Sequence, residues 1–457
     1  MNNQTIYHVI KDPVHGTMQF SQMENAWIKP FIDSAHFQRL RHVKQLGMGD
    51  FIFPGAVHTR FNHSLGCCYV ASQIAHTIGL KTEERQLVML ACLLHDIGHG
   101  PFSHTFEDLF VKKRIRHEAW TPLFLKDYRT AEFFKHYNAL NQDHPLSPEK
   151  FLQIEEMIMH RATVKPLLAD IVSSQLDADR LDYLLRDSHF CGVDYGKFDF
   201  QWMLNSMAII PTKTGERLGL THKGIGVVEH YLMARRLMTR NIYFHQKKLA
   251  LEFFLIKLLG YLSENIDTDP ELIFIKNTRL GRFLLAVNQF NKSNQTSENF
   301  VEENYDIYKE LCDYDIFTLI QTLATQSSNN ISTALAKRLH LREMPKIFRL
   351  DQVDLHQIEQ LLAEFKHAHP AIADWQLALI KTPHQSYLLE HDPILIINEN
   401  RMINSLDEIS LMINAMGNKL ENSAFVCIDK VIFNNTEIQN LLKKFHSLKI
   451  DVNTMPL

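Results

Sequence analysis

His95-Asp96-Ile97-Gly98-His99-Gly100-Pro101-Phe102-Ser103-His104 follows directly on the apolar run Leu87 to Leu94. The adjacent His95 and Asp96 offer an imidazole nitrogen and a carboxylate oxygen at neighbouring points on a helix end. That mixed donor pair suits a hard or borderline divalent cation. Such doublets also arise by chance, and His95 alone reads equally as a helix-end or core histidine. What flanks the doublet gives it meaning. His63 precedes it in Arg60-Phe61-Asn62-His63-Ser64-Leu65-Gly66, and Asp179 follows in Leu176-Asp177-Ala178-Asp179-Arg180-Leu181-Asp182-Tyr183. Packed helices could bring His63, His95, Asp96 and Asp179 to one point, with coordination positions left for water and a phosphate oxygen. Such a site lowers the pKa of bound water and polarises phosphorus. On spacing alone, Asp177 and Asp182 compete with Asp179.

Working outward, most of the first 370 residues carry apolar residues at three- and four-residue spacing, the mark of buried helix faces. Helices are expected over Leu65 to Ile78, Glu83 to His95, Phe151 to His160, Lys165 to Leu185 and Ile225 to Phe244. A short hairpin is expected from Met207 to Thr221, around Lys213-Thr214-Gly215. Asn288 to Asn304 is polar and reads as a surface loop or insert. Beyond residue 370, Trp375 to Lys381, Pro393 to Asn398 and Ala424 to Asp429 read as short strands. Leu406 to Met416 and Glu437 to Phe445 read as helices. The expected organisation is a helical core over 1–370 and a small α/β appendage over 371–457.

The composition is that of an ordinary globular chain: 457 residues, 45% hydrophobic, 22% charged and a formal net charge of −4. That balance gives no general pull toward nucleic acid, and the basic run Lys112-Lys113-Arg114-Ile115-Arg116 reads as a solvated loop. None of the six cysteines forms a C-x-x-C pair, and several lie in apolar contexts, as buried thiols in a reducing compartment do. The N-terminus has no apolar signal core, and Leu249 to Leu262 is interrupted by Glu252 and Lys257. A cytoplasmic protein without membrane spans is expected.

Further motifs surround the doublet: Lys11-Asp12-Pro13-Val14-His15-Gly16, Phe37-Gln38-Arg39-Leu40-Arg41, Lys44-Gln45-Leu46-Gly47 and Phe53-Pro54-Gly55-Ala56. Together with His95 through His104, in this order, they resemble the HD-domain deoxynucleoside triphosphate triphosphohydrolases, over about residues 8–250. With no room for a preceding SAM domain, the chain resembles the bacterial members rather than the vertebrate SAM-and-HD-domain enzyme. The implied fold is mainly α, a helical HD-domain phosphohydrolase core with a small C-terminal α/β appendage. The implied reaction takes dNTP and water to a deoxynucleoside and inorganic triphosphate.

The resemblance also implies roles by position. His63, His95, Asp96 and Asp179 match metal ligands for a divalent ion, with Mn, Mg, Fe and Zn all compatible with mixed His/Asp ligation. His104 matches a catalytic histidine suited to protonating the departing 5′-oxygen. Glu107 lies one turn on, where relatives carry Asp, and could orient His104. His99 and His117 match residues beside the phosphates, and His117 joins the catalytic set. Arg60, Arg180 and Arg235 could neutralise the triphosphate; Arg180 stands where the vertebrate enzyme has lysine. Gln45, Leu46, Tyr183, Asp187 and Tyr243 match positions that hold the deoxyribose. Val9, Lys11, Asp33, Gln38 and Arg41 match an activator site for a guanine nucleotide, with Lys11 in place of asparagine. That site lies between subunits, so a homodimer or homotetramer is implied. Two other functions share these residues. One is a different HD phosphohydrolase chemistry, as in a nucleotide phosphatase, phosphodiesterase or nuclease. The other is a non-catalytic nucleotide sensor or nucleic-acid-binding protein.

Overall fold

In the computed structural model, residues 7–111, 114–161, 163–327, 330–350, 354–385, 392–416 and 420–447 are described. The chain is mainly helical, with three small sheets among these residues. At its centre is a pair of helices, Arg60–Thr77 and Thr82–Leu94. Asn62 Oδ1 accepts the Thr59 N–H at 3.2 Å and closes the first turn of the first helix. That helix ends where Gly79, at φ 74°, reverses the chain. The second helix is buried continuously from Gln86 to Leu94, so it is apolar on all sides and sits inside the protein. Its end therefore delivers His95 and Asp96 into the interior. A third helix, Ala178–Cys191, packs across the first at Gly66. A Cβ on Gly66 would lie 1.9 Å from Asp182 Oδ1, so only glycine permits this approach.

Four expectations about elements are corrected. Lys165 to Leu185 is two helices, Pro166–Val172 and Ala178–Cys191. The break follows from Asp177, whose carboxylate accepts the N–H of Ser174 (2.9 Å) and of Arg180 (2.7 Å) and so starts a new helix. Ile225 to Phe244 is helical to Met238 and then widens into a π turn, Thr239–Tyr243. Asn288 to Asn304 is not a loop but parts of two helices, Arg279–Lys292 and Ser297–Tyr308. Its few apolar residues decide this: Phe290 and Phe300 are buried with ring centroids 4.7 Å apart, and Phe300 also packs on Phe283 and Trp120. Leu406 to Met416 is interrupted at Ser410.

The hairpin of Met207–Thr212 and Gly215–Thr221 is present. The three strands expected after residue 370 are present and divided between two sheets, with a fourth, Ile403–Ser405, paired antiparallel with Leu395–Ile397. Leu395–Ile397 pairs in parallel with Gly215–Thr221, while Leu420–Ile428 is the central strand of the other sheet and pairs with Lys346–Leu350 on one side and Leu377–Gln385 on the other. That second sheet and the helices Leu355–Ala368 and Thr436–Ser447 enclose a separate small core around Ile358, Leu377, Val426 and Ile438.

At the N-terminus the strands Tyr7–Asp12 and Gly16–Ser21 form a hairpin that leads into the helix Gln22–Ile32. Ser21 and Glu24 cap that helix reciprocally: Ser21 N–H donates to Glu24 Oε2 (2.9 Å) and Glu24 N–H to Ser21 Oγ (3.2 Å). Glu24 Oε1 meets His76 Nε2 at 2.8 Å and Arg85 Nε at 3.3 Å. Burial pushes the Glu24 carboxyl up, but the bonds from His76 and Ser21 outweigh it and leave it below its ordinary 4.5. An acid depressed in the folded state stabilises above its unfolded pKa and loses that contribution as pH falls through the folded value. Glu24→Gln is therefore expected to cost about 1–3 kcal/mol at neutral pH. It should also reduce the loss of stability in acid, both read from urea unfolding curves at several pH values.

Candidate functional site

His63, on the first helix, is fully buried and directs Nε2 toward Asp179 Oδ1 at 2.9 Å and Asp96 Oδ2 at 3.7 Å. His95 Nε2 lies 3.4 Å from Asp96 Oδ1 and 3.6 Å from Asp179 Oδ1. Ligands held about 2.0–2.2 Å from one ion stand about 3 Å apart, so these separations suit a shared cation. The backbone carbonyl of Cys92 accepts from His95 Nδ1 at 2.8 Å, which leaves Nε2 facing two carboxylates, buried and without a hydrogen-bond partner. A lone pair aimed at carboxylates requires a proton or a metal ion between them. Burial lowers the His63 pKa, yet hydrogen bonds to Asp179 and Asp182 raise it to about 10. The field that favours a proton there equally favours a divalent cation. Two imidazoles and two carboxylates thus fit a metal. The sulfur of Cys67 lies 3.4 Å from both ring nitrogens of His63, beside its plane rather than in line with Nε2.

Asp182, one turn after Asp179, binds the other side of His63. Its Oδ2 accepts from His63 Nδ1 at 2.8 Å, which fixes the ring and its tautomer. Three further donors converge on the same carboxylate: His15 Nε2 (2.6 Å), Arg186 Nε (2.9 Å) and Arg186 Nη2 (2.9 Å). Arg186 also pairs with Asp12 at 2.8 Å, so the N-terminal hairpin is tied to the site through a largely buried network. Burial opposes the charge on Asp182, but Arg186, His15 and His63 hold its pKa well below the carboxylate range.

Beyond Asp96 the chain turns through Phe102 and Ser103, both at positive φ (52° and 53°), although neither is glycine. Each such residue costs about 1–3 kcal/mol and persists only under external restraint. The restraints are visible. Asp313 Oδ1 accepts the Phe102 N–H at 2.8 Å, and Ser103 Oγ accepts from Arg60 Nε at 3.0 Å. The turn sets the start of the short helix His104–Glu107. The His104 side chain lies outside the described residues. Glu107 Oε1 accepts from His117 Nδ1 at 2.9 Å, so this carboxylate orients His117. The His117 ring stacks on His99 with centroids 3.6 Å apart, and His99 Nε2 lies 3.2 Å from Asp96 Oδ1. Burial, Arg60 and His117 hold His99 well below its ordinary pKa, as a neutral imidazole.

A cleft of about 810 Å³ opens beside this centre. Gln45, Leu46, Arg60, Tyr183, Asp187 and Tyr243 line it, so six residues scattered over the sequence share one wall. Arg60 Nη1 pairs with Asp96 and so bridges cleft and metal donors. Arg180 is held elsewhere, on Asp177 and the Ser174 carbonyl, and does not line the cleft. Arg235 Nη1 is buried without a hydrogen-bond partner. Val9 and Lys11 lie on the hairpin, where Lys11 Nζ donates to Thr17 Oγ1 at 2.8 Å. Asp33 pairs with Lys29, and Arg41 Nε donates to Gln38 Oε1 at 2.7 Å. These five are apart from the cleft.

Sequence reading missed Asp182 as the orienter of His63, along with Gly66, His15, Arg186 and Asp313. Asp182 and Arg186 carried a local signal, the i, i+3 spacing of Asp179 and Asp182 and the i, i+4 spacing of Asp182 and Arg186 on one helix face. Gly66→Ala, which drives a methyl group into Asp182, is expected to lower metal affinity about 10–100-fold. Elemental analysis and metal titration would read this directly, with helical circular dichroism as the control for folding.

An HD-domain model matches residues 60–186, the segment that holds His63, His95, Asp96 and Asp179. An uncharacterized protein of Methanocaldococcus jannaschii is 33% identical over 322 residues, covering 68% of this chain and 61% of its own length. The human deoxynucleoside triphosphate triphosphohydrolase SAMHD1 is 31% identical over 270 residues, covering 52% of this chain and 42% of its own. The chain thus spans between two fifths and two thirds of these curated relatives. A phosphohydrolase from Bacteroides thetaiotaomicron superposes with a TM-score of 0.73 at 26% identity, over 93% of this chain and 100% of that one. Residues 60–186 thus form an HD domain whose His/Asp centre can hold a divalent metal, and the chain is similar to HD-domain phosphohydrolases; among the described residues no helix is long and apolar enough to cross a membrane.

Proposed function

We propose that this protein is a metal-dependent dNTP triphosphohydrolase that converts dNTP and water to a deoxynucleoside and inorganic triphosphate. One observation carries the reading. A single cleft is lined both by Arg60, which touches the metal donor Asp96, and by Gln45, Leu46, Tyr183, Asp187 and Tyr243. A phosphate-neutralising cation thus stands beside a wall with the chemistry of a sugar subsite. The likeness to human SAMHD1, a deoxynucleoside triphosphate triphosphohydrolase, supports the same substrate class.

A divalent ion held by His63, His95, Asp96 and Asp179, whether Mn, Mg, Fe or Zn, would supply polarisation of the α-phosphate and acidification of water. The chain supplies the rest. Arg60 and His99 contact phosphate oxygens, and Arg180 and Arg235 add positive charge behind them. The bond from the α-phosphorus to the 5′-oxygen breaks as water adds, and that oxygen takes a proton from His104. His117, oriented by Glu107, is a second imidazole on the phosphate side. Tyr183 packs where a 2′-hydroxyl would stand, and Asp187 accepts from the 3′-hydroxyl. Val9, Lys11, Asp33, Gln38 and Arg41 would read a guanine nucleotide between subunits of a homodimer or homotetramer. The enzyme would act in the cytoplasm on free nucleotides, with the appendage over 371–457 as an accessory to the 1–370 core.

Purified protein is expected to release deoxynucleoside and intact triphosphate from dNTPs with Mn²⁺ or Mg²⁺. Activity that appears only in mixtures with GTP would expose the activator site. Release of pyrophosphate or single phosphates instead would sink the reading. Asp96→Ala is expected to abolish turnover and deplete bound metal with helical content unchanged. A chelator should silence the wild type, and added metal should restore it.

A further inference from the structure

His58 has no place in the chemistry above, yet it is fully buried against a cleft residue. Its Nε2 lies 2.7 Å from Asp187 Oδ1. Its ring stacks on Phe190 with centroids 4.5 Å apart and planes 22° apart, which fixes its orientation. His58 Nδ1 is buried without a hydrogen-bond partner. A buried unpaired N–H costs more than a buried unpaired lone pair, so the proton sits on Nε2 and donates to Asp187. The other oxygen, Asp187 Oδ2, accepts from the Tyr243 hydroxyl at 2.8 Å. Burial pushes the Tyr243 phenol well above its usual range, and the neighbouring Asp187 adds to this, so it remains a donor.

Asp187 is thus held from both sides by donors that belong to the protein. A carboxylate offers about four acceptor positions and, ionised, no donor. Two are taken, and Asp187 still lines the cleft. Whatever meets it there must itself donate a hydrogen bond. Rotation of the carboxylate toward some other partner would break the bond to His58.

We propose that His58 is a positioning residue that makes Asp187 a fixed acceptor and so sets selectivity for a nucleotide sugar bearing a 3′-hydroxyl. The proposal rests on the dNTP reading and extends it to a residue on the far side of Asp187. A hydroxyl-reading site rejects analogues that lack the hydroxyl because its own polar group is then left unpaired. The discrimination therefore depends on how rigidly that group is held.

The experiment compares kcat/KM for a dNTP and for the matching 2′,3′-dideoxy nucleotide in the wild type, His58→Leu and His58→Gln. The wild type is expected to favour the dNTP. His58→Leu should reduce that preference by about tenfold or more, the worth of one hydrogen bond to a charged group. His58→Gln, which places an amide N–H near the position of Nε2, should restore most of it. The ratio of two substrates differing by one hydroxyl is insensitive to the amount of folded enzyme. A wild-type preference that survives unchanged in His58→Leu would overturn the role of His58 and leave the dNTP reading intact. No preference in the wild type, measured by turnover or by calorimetric binding of the two nucleotides, would overturn both.

Discussion

The buried carboxylate of Asp182 is the point on which this structure turns. It takes four hydrogen bonds, one from His63, one from His15 and two from Arg186, and the side chains of these groups are almost wholly buried. An isolated carboxylate in such a place would cost several kcal/mol. Surrounded by donors, it instead joins three parts of the chain: the first helix through His63, its own helix through Arg186, and the N-terminal hairpin through His15 and Asp12. The glycine at position 66 follows from the same constraint, because the carboxylate occupies the volume of its missing Cβ.

From this point the site runs in a direction. Asp182 sets His63, and the two histidines and two aspartates of the candidate metal centre face one another around a space suited to a cation. Arg60 then carries the polar network outward, to Asp96 on one side and to Ser103 of the strained turn on the other. Beyond Arg60 the cleft wall is made of Tyr183, Tyr243 and Asp187. Asp187 repeats on a smaller scale the device seen at Asp182, a carboxylate held by protein donors so that its remaining face has one use.

Much of this was legible in the sequence, for identifiable reasons. The helices around the centre carry long apolar periodicity, and the doublet follows an uninterrupted apolar run, so its burial and its place at a helix end could be read directly. The four candidate metal donors, which the structure brings close together, could be listed from motif order. The failures have equally local causes. Asn288 to Asn304 reads as a loop because its average composition is polar, yet two phenylalanines suffice to anchor helices on a neighbouring aromatic cluster. Lys165 to Leu185 reads as one helix because apolar periodicity does not register the capping carboxylate of Asp177, which redirects the chain.

The sequence by itself determined which residues are candidates to bind a metal and which faces are apolar, since both are properties of residue type, motif order and spacing. Only the tertiary structure decided which side chains hold those residues still. His58 with Asp187, His15 with Asp182, and Asp313 with Phe102 are pairs joined across most of a domain or across a helix packing interface. A hydrogen bond depends on position and direction to within a few tenths of an ångström. Such positions are set by how helices pack, and no spacing along the chain encodes them.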